Sequence, residues 1–313
     1  MFDFAFSEEE DLVVDMATDF ATRELRPAMR DHERAGRVSE AVAAAFDEAG
    51  LAEVGRPGSG TGPLTRARTL EALAWGDAGA TLALMGPALT ADVADALAAP
   101  AASGVHVVER VDGGSTPVDF VCASPVAELL VFDLGGRWRS GMADLRPARG
   151  VGLWAAGGAA GTVAAAAPMD AGEAAGADAL AILHLATGAM LAGVARASLE
   201  YVAIYLRERR TFGKLLADHQ GLAFLFADMA IATEVARVSV FAAASQGGAG
   251  RAAAARLMAT DAAARVTDYG VQLLGGHGYM KAHPVEKWMR DARALSCAWG
   301  GRDGAVEVDA RWT

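Results

Sequence analysis

Four short stretches in the last third of the chain bring together residue types that can hold an anion. They are Arg209-Arg210-Thr211-Phe212-Gly213-Lys214, then Asp218-His219-Gln220, then Gln272-Leu273-Leu274-Gly275-Gly276-His277-Gly278-Tyr279, then Pro284-Val285-Glu286-Lys287-Trp288-Met289-Arg290-Asp291-Ala292. Arg209 offers a planar fork suited to bidentate phosphate recognition, and Thr211 adds a hydroxyl donor. Gly275, Gly276 and Gly278 remove side chains, so that backbone N–H groups can come close to a ligand. Together these groups suit a diphosphate. A plainer reading stands beside that one. Arg209 and Arg210 also suit a helix end, where cations complement the dipole, and the glycines suit a helix stop and turn.

The elements that must position these residues divide the chain into three regions. Residues 1–100 read as helical. Ser7 and Glu10 form a capping box, with Glu8 and Glu9 in the first turn, and Leu12, Val13, Met16, Phe20 and Leu25 follow at helical spacing until Pro27. A helix near 40–49 stops at Gly50, residues 55–63 form a Gly/Pro loop, and helices over 64–76 and 78–98 follow, the second interrupted at Gly86-Pro87. Residues 101–175 change texture. The β-branched runs Val105–Val108, Val118–Val121 and Leu129–Phe132, with turn pairs Asp112-Gly113 and Gly135-Gly136, predict a small β-domain. Residues 176–313 are helical again, with Asp178 as N-cap of a helix running to Leu206, further helices over 217–246 and 250–274, and a last segment from Pro284. Long Ala-rich helices in series predict a four-helix bundle packed across subunits, and a mostly α, α+β fold.

Composition narrows the function. Twenty-eight basic against 39 acidic residues give a net charge of −11, which disfavours a nucleic-acid surface, since no basic excess exists to neutralise phosphates. Cys122 and Cys297 are the only cysteines and make no disulfide framework, as expected of a reduced intracellular protein. No stretch reads as a targeting or membrane segment, which predicts a cytoplasmic location.

The order and spacing of the four stretches resemble the acyl-CoA dehydrogenase family of flavoenzymes. The chain carries that family's R-x-T-F-G-K, Q-x-x-G-G-x-G-Y and P-V-E-x-x-M-R-D-A patterns. The N-terminal helices are similar too, with Glu8-Glu9-Glu10, the Arg23–Pro27 spacing and the stretch Asp47–Val54. The resemblance implies a helical–β–helical fold and an FAD shared across a subunit interface. It assigns the pyrophosphate and adenosine contacts to Arg209, Thr211, Phe212, Gln220, Gln272, Gly275 and Gly276. Gln220 also fits an ordinary first-turn helix position. The implied substrate is an acyl-CoA thioester, oxidised between its α- and β-carbons.

Such oxidation needs a carboxylate base at the α-carbon. Counting on from Asp291-Ala292, the family's base position falls on Trp299, whose indole has a donor N–H and no basic site. The alternative family position, on the long helix, falls near Leu183 with His184 beside it. The family's flavin-ring signature in the β-domain is absent. The nearest strings are Ala123-Ser124-Pro125 and Arg137-Trp138-Arg139-Ser140. The chain thus keeps the half of an FAD site donated across an interface and lacks its own. This resembles the short subunit of heteromeric α2β2 acyl-CoA dehydrogenases of the actinobacterial steroid-degrading type, implying a homologous partner that supplies the base. Two other readings are open: a homomeric enzyme with Asp303 or His184 as base, and a non-catalytic scaffold that keeps the fold.

Overall fold

The computed structural model describes residues 7–56, 58–99, 102, 104–108, 115–119, 126–133, 137–164, 167–169 and 172–312. Helix α1 (Glu8–Phe20) starts at the expected capping box: Ser7 Oγ accepts from Glu10 N–H, and Glu10 Oε2 accepts from Ser7 N–H. A π-turn at Ala21–Leu25 leads into α2 (Arg26–Ala35), with Pro27 in its first turn, where a missing N–H costs nothing. Of the apolar stripe on α1, Phe20 is buried, Val13 is partly buried, and Leu12 and Met16 lie exposed. Helix α3 (Glu40–Glu48) is capped by Ser39.

Element α4 (Pro63–Ala96) is two helices joined across a kink, which falls between the expected spans 64–76 and 78–98. The break falls at Asp77, which leaves helical geometry at φ −159°, ψ 109°, whereas Gly86-Pro87 is carried inside the helix. Five strands follow in the middle region, β1 (Gly104–Val108), β2 (Ser115–Asp119), β3 (Val126–Asp133), β4 (Arg137–Pro147) and β5 (Ala159–Ala164), with a short β6 (Ala167–Met169). The sheet order is β1-β3-β4-β5-β2, with β6 on β4, and β1 pairs with β3 in parallel while the other pairs are antiparallel. The turn pairs Asp112-Gly113 and Gly135-Gly136, Val121, and Ala123-Ser124-Pro125 lie outside the described residues.

The C-terminal half holds α5 (Glu173–Glu208), a two-strand hairpin of β7 (Arg210–Thr211) and β8 (Lys214–Leu215), α6 (Gln220–Gln246), α7 (Ala249–Leu274), α8 (Val285–Cys297) and α9 (Gly301–Trp312). Asp178 is not an N-cap. Gly172, at φ 72°, starts α5 and Glu173 occupies the first turn, so good helix-forming alanines extend the helix upstream of Asp178. By length and composition α5 could cross a membrane, but 72% of its most apolar window is buried, as in a core helix. Gly193 makes the close crossing with α4: a Cβ there would stand 2.3 Å from Glu71 O. Glu71 in turn forms an ion pair with Arg196 at 3.0 Å and accepts from Arg237 at 2.6 Å, tying α4, α5 and α6 together.

Alternate residues of β3 face two cores, as the strand period requires. Leu129 and Val131 join Val118, Leu145 and Val163 in a cluster within the sheet. Leu130 and Phe132 join Val105, Trp138, Leu180, Leu183 and Val308 in a second cluster between sheet and helices.

The three regions meet at one buried ion cluster. Lys287 Nζ lies 2.8 Å from Asp77 Oδ1 and 2.5 Å from Asp291 Oδ2, and all three side chains are inaccessible. Asp291 Oδ1 accepts the backbone N–H of Leu153, at 2.7 Å, from the β4–β5 connection. Leu153 holds a left-handed backbone, φ 55°. A second cluster sits beside it, where Glu33 on α2 accepts from Arg30 at 2.6 Å and from Arg290 on α8 at 2.5 Å.

Removing Lys287 leaves two buried carboxylates unpaired. Lys287→Ala should therefore cost about 3–5 kcal/mol, read from the urea unfolding midpoint. Burial alone would raise the Glu33 carboxyl, but hydrogen bonds and charge from Arg30 and Arg290 outweigh it and hold the group below its ordinary 4.5. A depressed acid stabilises above its unfolded pKa, and that stability is lost as pH falls through the folded value. Unfolding free energy should thus fall below about pH 4.5 more steeply in the wild type than in Glu33→Gln. Equal slopes in acid urea titrations would refute this.

Candidate functional site

The anion-binding candidates sit on the surface at one end of α5. Helix α5 stops at Arg209, whose backbone turns extended, and the hairpin β7–β8 follows through Phe212 (φ 51°) and Gly213 (φ 85°). Leu216 N–H bonds back to Arg209 O at 2.8 Å and closes the hairpin. Phe212 is 97% exposed. Arg209, Gln220, Gln272, Gly275 and Gly276 are exposed too, and Thr211 is half-buried beside His219, 3.4 Å from its Nε2. Gln220 is the first residue of α6.

The glycine turn ends α7. Gly275 takes φ 58°, ψ −133°, a backbone open to glycine, and neither it nor Gly276 has any atom near the place of a Cβ. Gly278 behaves differently from its sequence reading. A Cβ there would lie 2.3 Å from Val271 O, so this glycine folds the turn back onto α7 and does not open a path to a ligand. Tyr205, one turn before Arg209, donates to or accepts from His277 Nδ1 at 2.7 Å. That bond joins the end of α5 to the glycine turn. Tyr201 makes the same 2.7 Å bond with His283, and the two imidazoles stand 5.4 Å apart. The sequence reading passed over both tyrosines. Their spacing of four residues, facing two histidines, was the available signal.

The base position is built for packing. Trp299 holds a left-handed backbone at φ 46° and turns its indole toward the sheet, where Nε1–H donates to Val105 O at 3.1 Å. Its own carbonyl accepts from Arg256 Nη1 at 3.2 Å, and Arg256 Nη2 donates to Ala298 O. Arg256 is 1% exposed, and among the described residues no carboxylate pairs with it. The two carbonyls stand at the C-terminal end of α8, whose partial negative charge compensates the cation. Burial brings the guanidinium down to about 10, so it stays charged at neutral pH. Sequence reasoning missed Arg256, although an arginine inside Ala252-Ala253-Ala254-Ala255 and Leu257-Met258-Ala259 is conspicuous.

His184 completes this cluster and is excluded as a base by it. It is 2% exposed, and its Nδ1 lies 3.1 Å from Arg256 Nη1. Burial, then the neighbouring cation, push the imidazole well below its ordinary 6.5. Arg256 has only protons to give, so Nδ1 is the acceptor and Nε2 carries the hydrogen, leaving no lone pair to take a proton. Asp303 is exposed in the first turn of α9, outside any dry site. Glu200 is bound to Trp75 Nε1 at 2.7 Å. Among the described residues no carboxylate faces Trp299.

Of the two flavin-side strings, Arg137–Ser140 lies within the described residues, on β4. Trp138 is buried against α5, 5.0 Å from Phe132, and a Cβ at Gly176 would lie 3.2 Å from its Nε1. The space between sheet and bundle is thus filled by this chain's own side chains.

Comparison with known proteins agrees with this architecture. Residues 7–99 match the acyl-CoA dehydrogenase N-terminal domain, and residues 170–309 match the acyl-CoA dehydrogenase C-terminal domain. The chain belongs to the acyl-CoA dehydrogenase family. It is similar to a probable acyl-CoA dehydrogenase, fadE25, of Mycobacterium leprae, 39% identical over 112 residues, which are 34% of this chain and 29% of that protein. The matched part therefore spans under a third of that relative. Among solved structures it resembles butyryl-CoA dehydrogenase from Megasphaera elsdenii, with TM-score 0.78, 20% identity and 99% of both chains covered. It also resembles a variant of the Tcur3481-Tcur3483 steroid ACAD, with TM-score 0.76, 20% identity and 97% of both chains covered. A glutaryl-CoA dehydrogenase from Mycobacterium smegmatis in complex with FADH2 gives TM-score 0.76 at 14% identity, over 98% of this chain and 94% of that one. At these identities the likeness is one of fold.

Trp299→Phe keeps the ring and deletes the bond to Val105 O, leaving a buried carbonyl unpaired. It should lower stability by about 1–3 kcal/mol. Thermal and urea unfolding measure this, and an unchanged midpoint would show that the indole N–H holds nothing.

Proposed function

We propose that this chain is one subunit of a heteromeric, flavin-dependent acyl-CoA dehydrogenase, joined to a homologous subunit in an α2β2 assembly that carries the catalytic carboxylate. The observation behind this reading is the state of residue 299: an indole committed to Val105 O, backed by the buried cation of Arg256, where proton abstraction requires an acid. The reaction removes an α-proton from an acyl thioester, and FAD, when bound, accepts the hydride from the β-carbon.

The residues present fit one end of FAD and not the other. Arg209, Thr211, Phe212, Gln220, Gln272, Gly275 and Gly276 lie at the surface, where they can meet the pyrophosphate and adenosine of a cofactor seated in a neighbour. In this reading Arg209 clamps phosphate through its fork, Thr211 and Gln272 supply neutral hydrogen bonds, and the backbone at Gly275-Gly276 closes on the diphosphate. The ring end has no place here, because Trp138, Leu183 and Trp299 pack together in the gap between sheet and helices. An exposed stripe on α6, Phe224, Ile231, Val235 and Val238, supports a subunit contact beside this surface. The fold shared with the two-part Tcur3481-Tcur3483 steroid ACAD supports a heteromeric assembly and a steroid-derived acyl group. A cytoplasmic location belongs to the same reading.

Co-expression with a homologous subunit carrying the family's glutamate tests the proposal. The chain alone should be colourless and inactive, and the mixed complex yellow and active. Arg209→Ala should lower FAD content of the mixed complex at least tenfold while the assembly persists on gel filtration. Dehydrogenase activity from the isolated chain, or unaltered flavin in the Arg209→Ala complex, would overturn it.

A further inference from the structure

Helix α6 turns an apolar face away from the rest of the chain. At about 100° per residue, Phe224, Asp228, Ile231, Val235, Val238 and Ala242 fall within an arc of about 80° on one side of the helix. Their spacing alternates between four and three residues, the seam of a helix that packs against another helix. From Phe224 to Ala242 this seam runs about 27 Å at 1.5 Å per residue. Phe224 and Ile231 are 62% and 63% exposed, and Val235 and Val238 are 45% and 46% exposed. The opposite side of the helix, with Met229, Thr233, Ala236 and Val240, is buried in the chain's own core. The outward stripe therefore plays no part in folding the chain, and a continuous exposed stripe of this kind marks a protein contact.

One charge interrupts the seam. Asp228 is exposed between Phe224 and Ile231, and among the described residues no cation pairs with it. The helix has a single basic residue, Arg237, and it is engaged elsewhere: Nε donates to Glu71 at 2.6 Å and Nη1 to Glu234 at 2.8 Å. A second copy of this chain, meeting the seam with its own α6, thus brings no free cation to Asp228. A parallel pair in register sets Asp228 against Asp228. An antiparallel pair centred on Ile231 sets it against Glu234, and one centred on position 233 sets it against Val238. Each arrangement opposes like charges or buries an unpaired carboxylate. A partner helix with the same apolar pattern and a cation facing position 228 meets neither penalty, so one acid in the seam selects between partners.

We propose, resting on the heteromeric assembly above, that the α6 seam seats the homologous subunit through an apolar helix carrying a lysine or arginine opposite Asp228, and that Asp228 bars the same pairing between two copies of this chain. Analytical ultracentrifugation of the full chain alone, and of its mixed complex with the homologous subunit, tests both parts. Ile231→Asp should leave the chain alone folded by circular dichroism, because the side chain is exposed, and should weaken the mixed complex at least tenfold. Asp228→Arg should weaken the complex as much, and one Lys or Arg to Glu exchange in the partner's facing helix should restore it. In the chain alone, Asp228→Leu completes the seam and should strengthen self-association at least tenfold. A mixed complex that assembles with FAD and is indifferent to Ile231→Asp or Asp228→Arg overturns the seat on α6 while the proposed function stands. Self-association unmoved by Asp228→Leu overturns the barring role. A chain that joins no homologous subunit overturns both the proposed function and this seat.

Discussion

The ammonium group of Lys287 carries the architecture. It lies between Asp77 and Asp291 in a place that water does not reach, and each carboxylate belongs to a different part of the chain. Asp77 is where α4 breaks its helical path, so the kink presents an acid to the cation at 2.8 Å. Asp291 holds α8 to the β4–β5 connection through Leu153 N–H. Burying such ions repays its desolvation only when geometry and additional hydrogen bonds are good. Here the orientation of the N-terminal helices, the sheet and the bundle depends on one cluster being complete. The neighbouring Glu33, with Arg30 and Arg290, and Arg26, placed 4.5 Å from the Trp75 ring centre and 4.3 Å from that of Trp288, reinforce the same junction.

That junction fixes where the sheet can lie against α5, and the space between them is solid. Trp138, Phe132, Leu183 and Trp299 fill it, with Gly176 giving Trp138 room to approach. The surface that carries Arg209, Phe212 and the Gly275 turn shows the reverse, with side chains standing free of the chain's own core. A sheet–helix gap filled by the chain's own side chains and an exterior rich in donors together mark where the anion-binding candidates stand.

Much of this could be read from the chain itself, where the cause is local. The Ser7–Glu10 capping box and the Gly50 stop depend on residues within one turn, and both stand where expected. The long C-terminal helices follow from their apolar periodicity. Strands β5 and β6 escaped because Ala159–Ala164 and Ala167–Met169 are built from small residues without β-branched runs, so pairing with β4 decides their form. Asp178 misled because capping chemistry was present while the helix began upstream. At the site, Trp299 was legible by counting, but its partners Val105 and Arg256 lie 194 and 43 residues away, and no local pattern joins them.

The cluster around Arg256 also acts as a ratchet on descent. An acid installed at position 299 would enter a neighbourhood where a fixed guanidinium already grips the 298 and 299 carbonyls. Such a neighbour favours the ionised form and drains a carboxylate of the basicity that proton removal demands. A working base at this place would take coordinated replacement at 256 and 299, since each step alone would leave either two carbonyls without their donor or an inert acid.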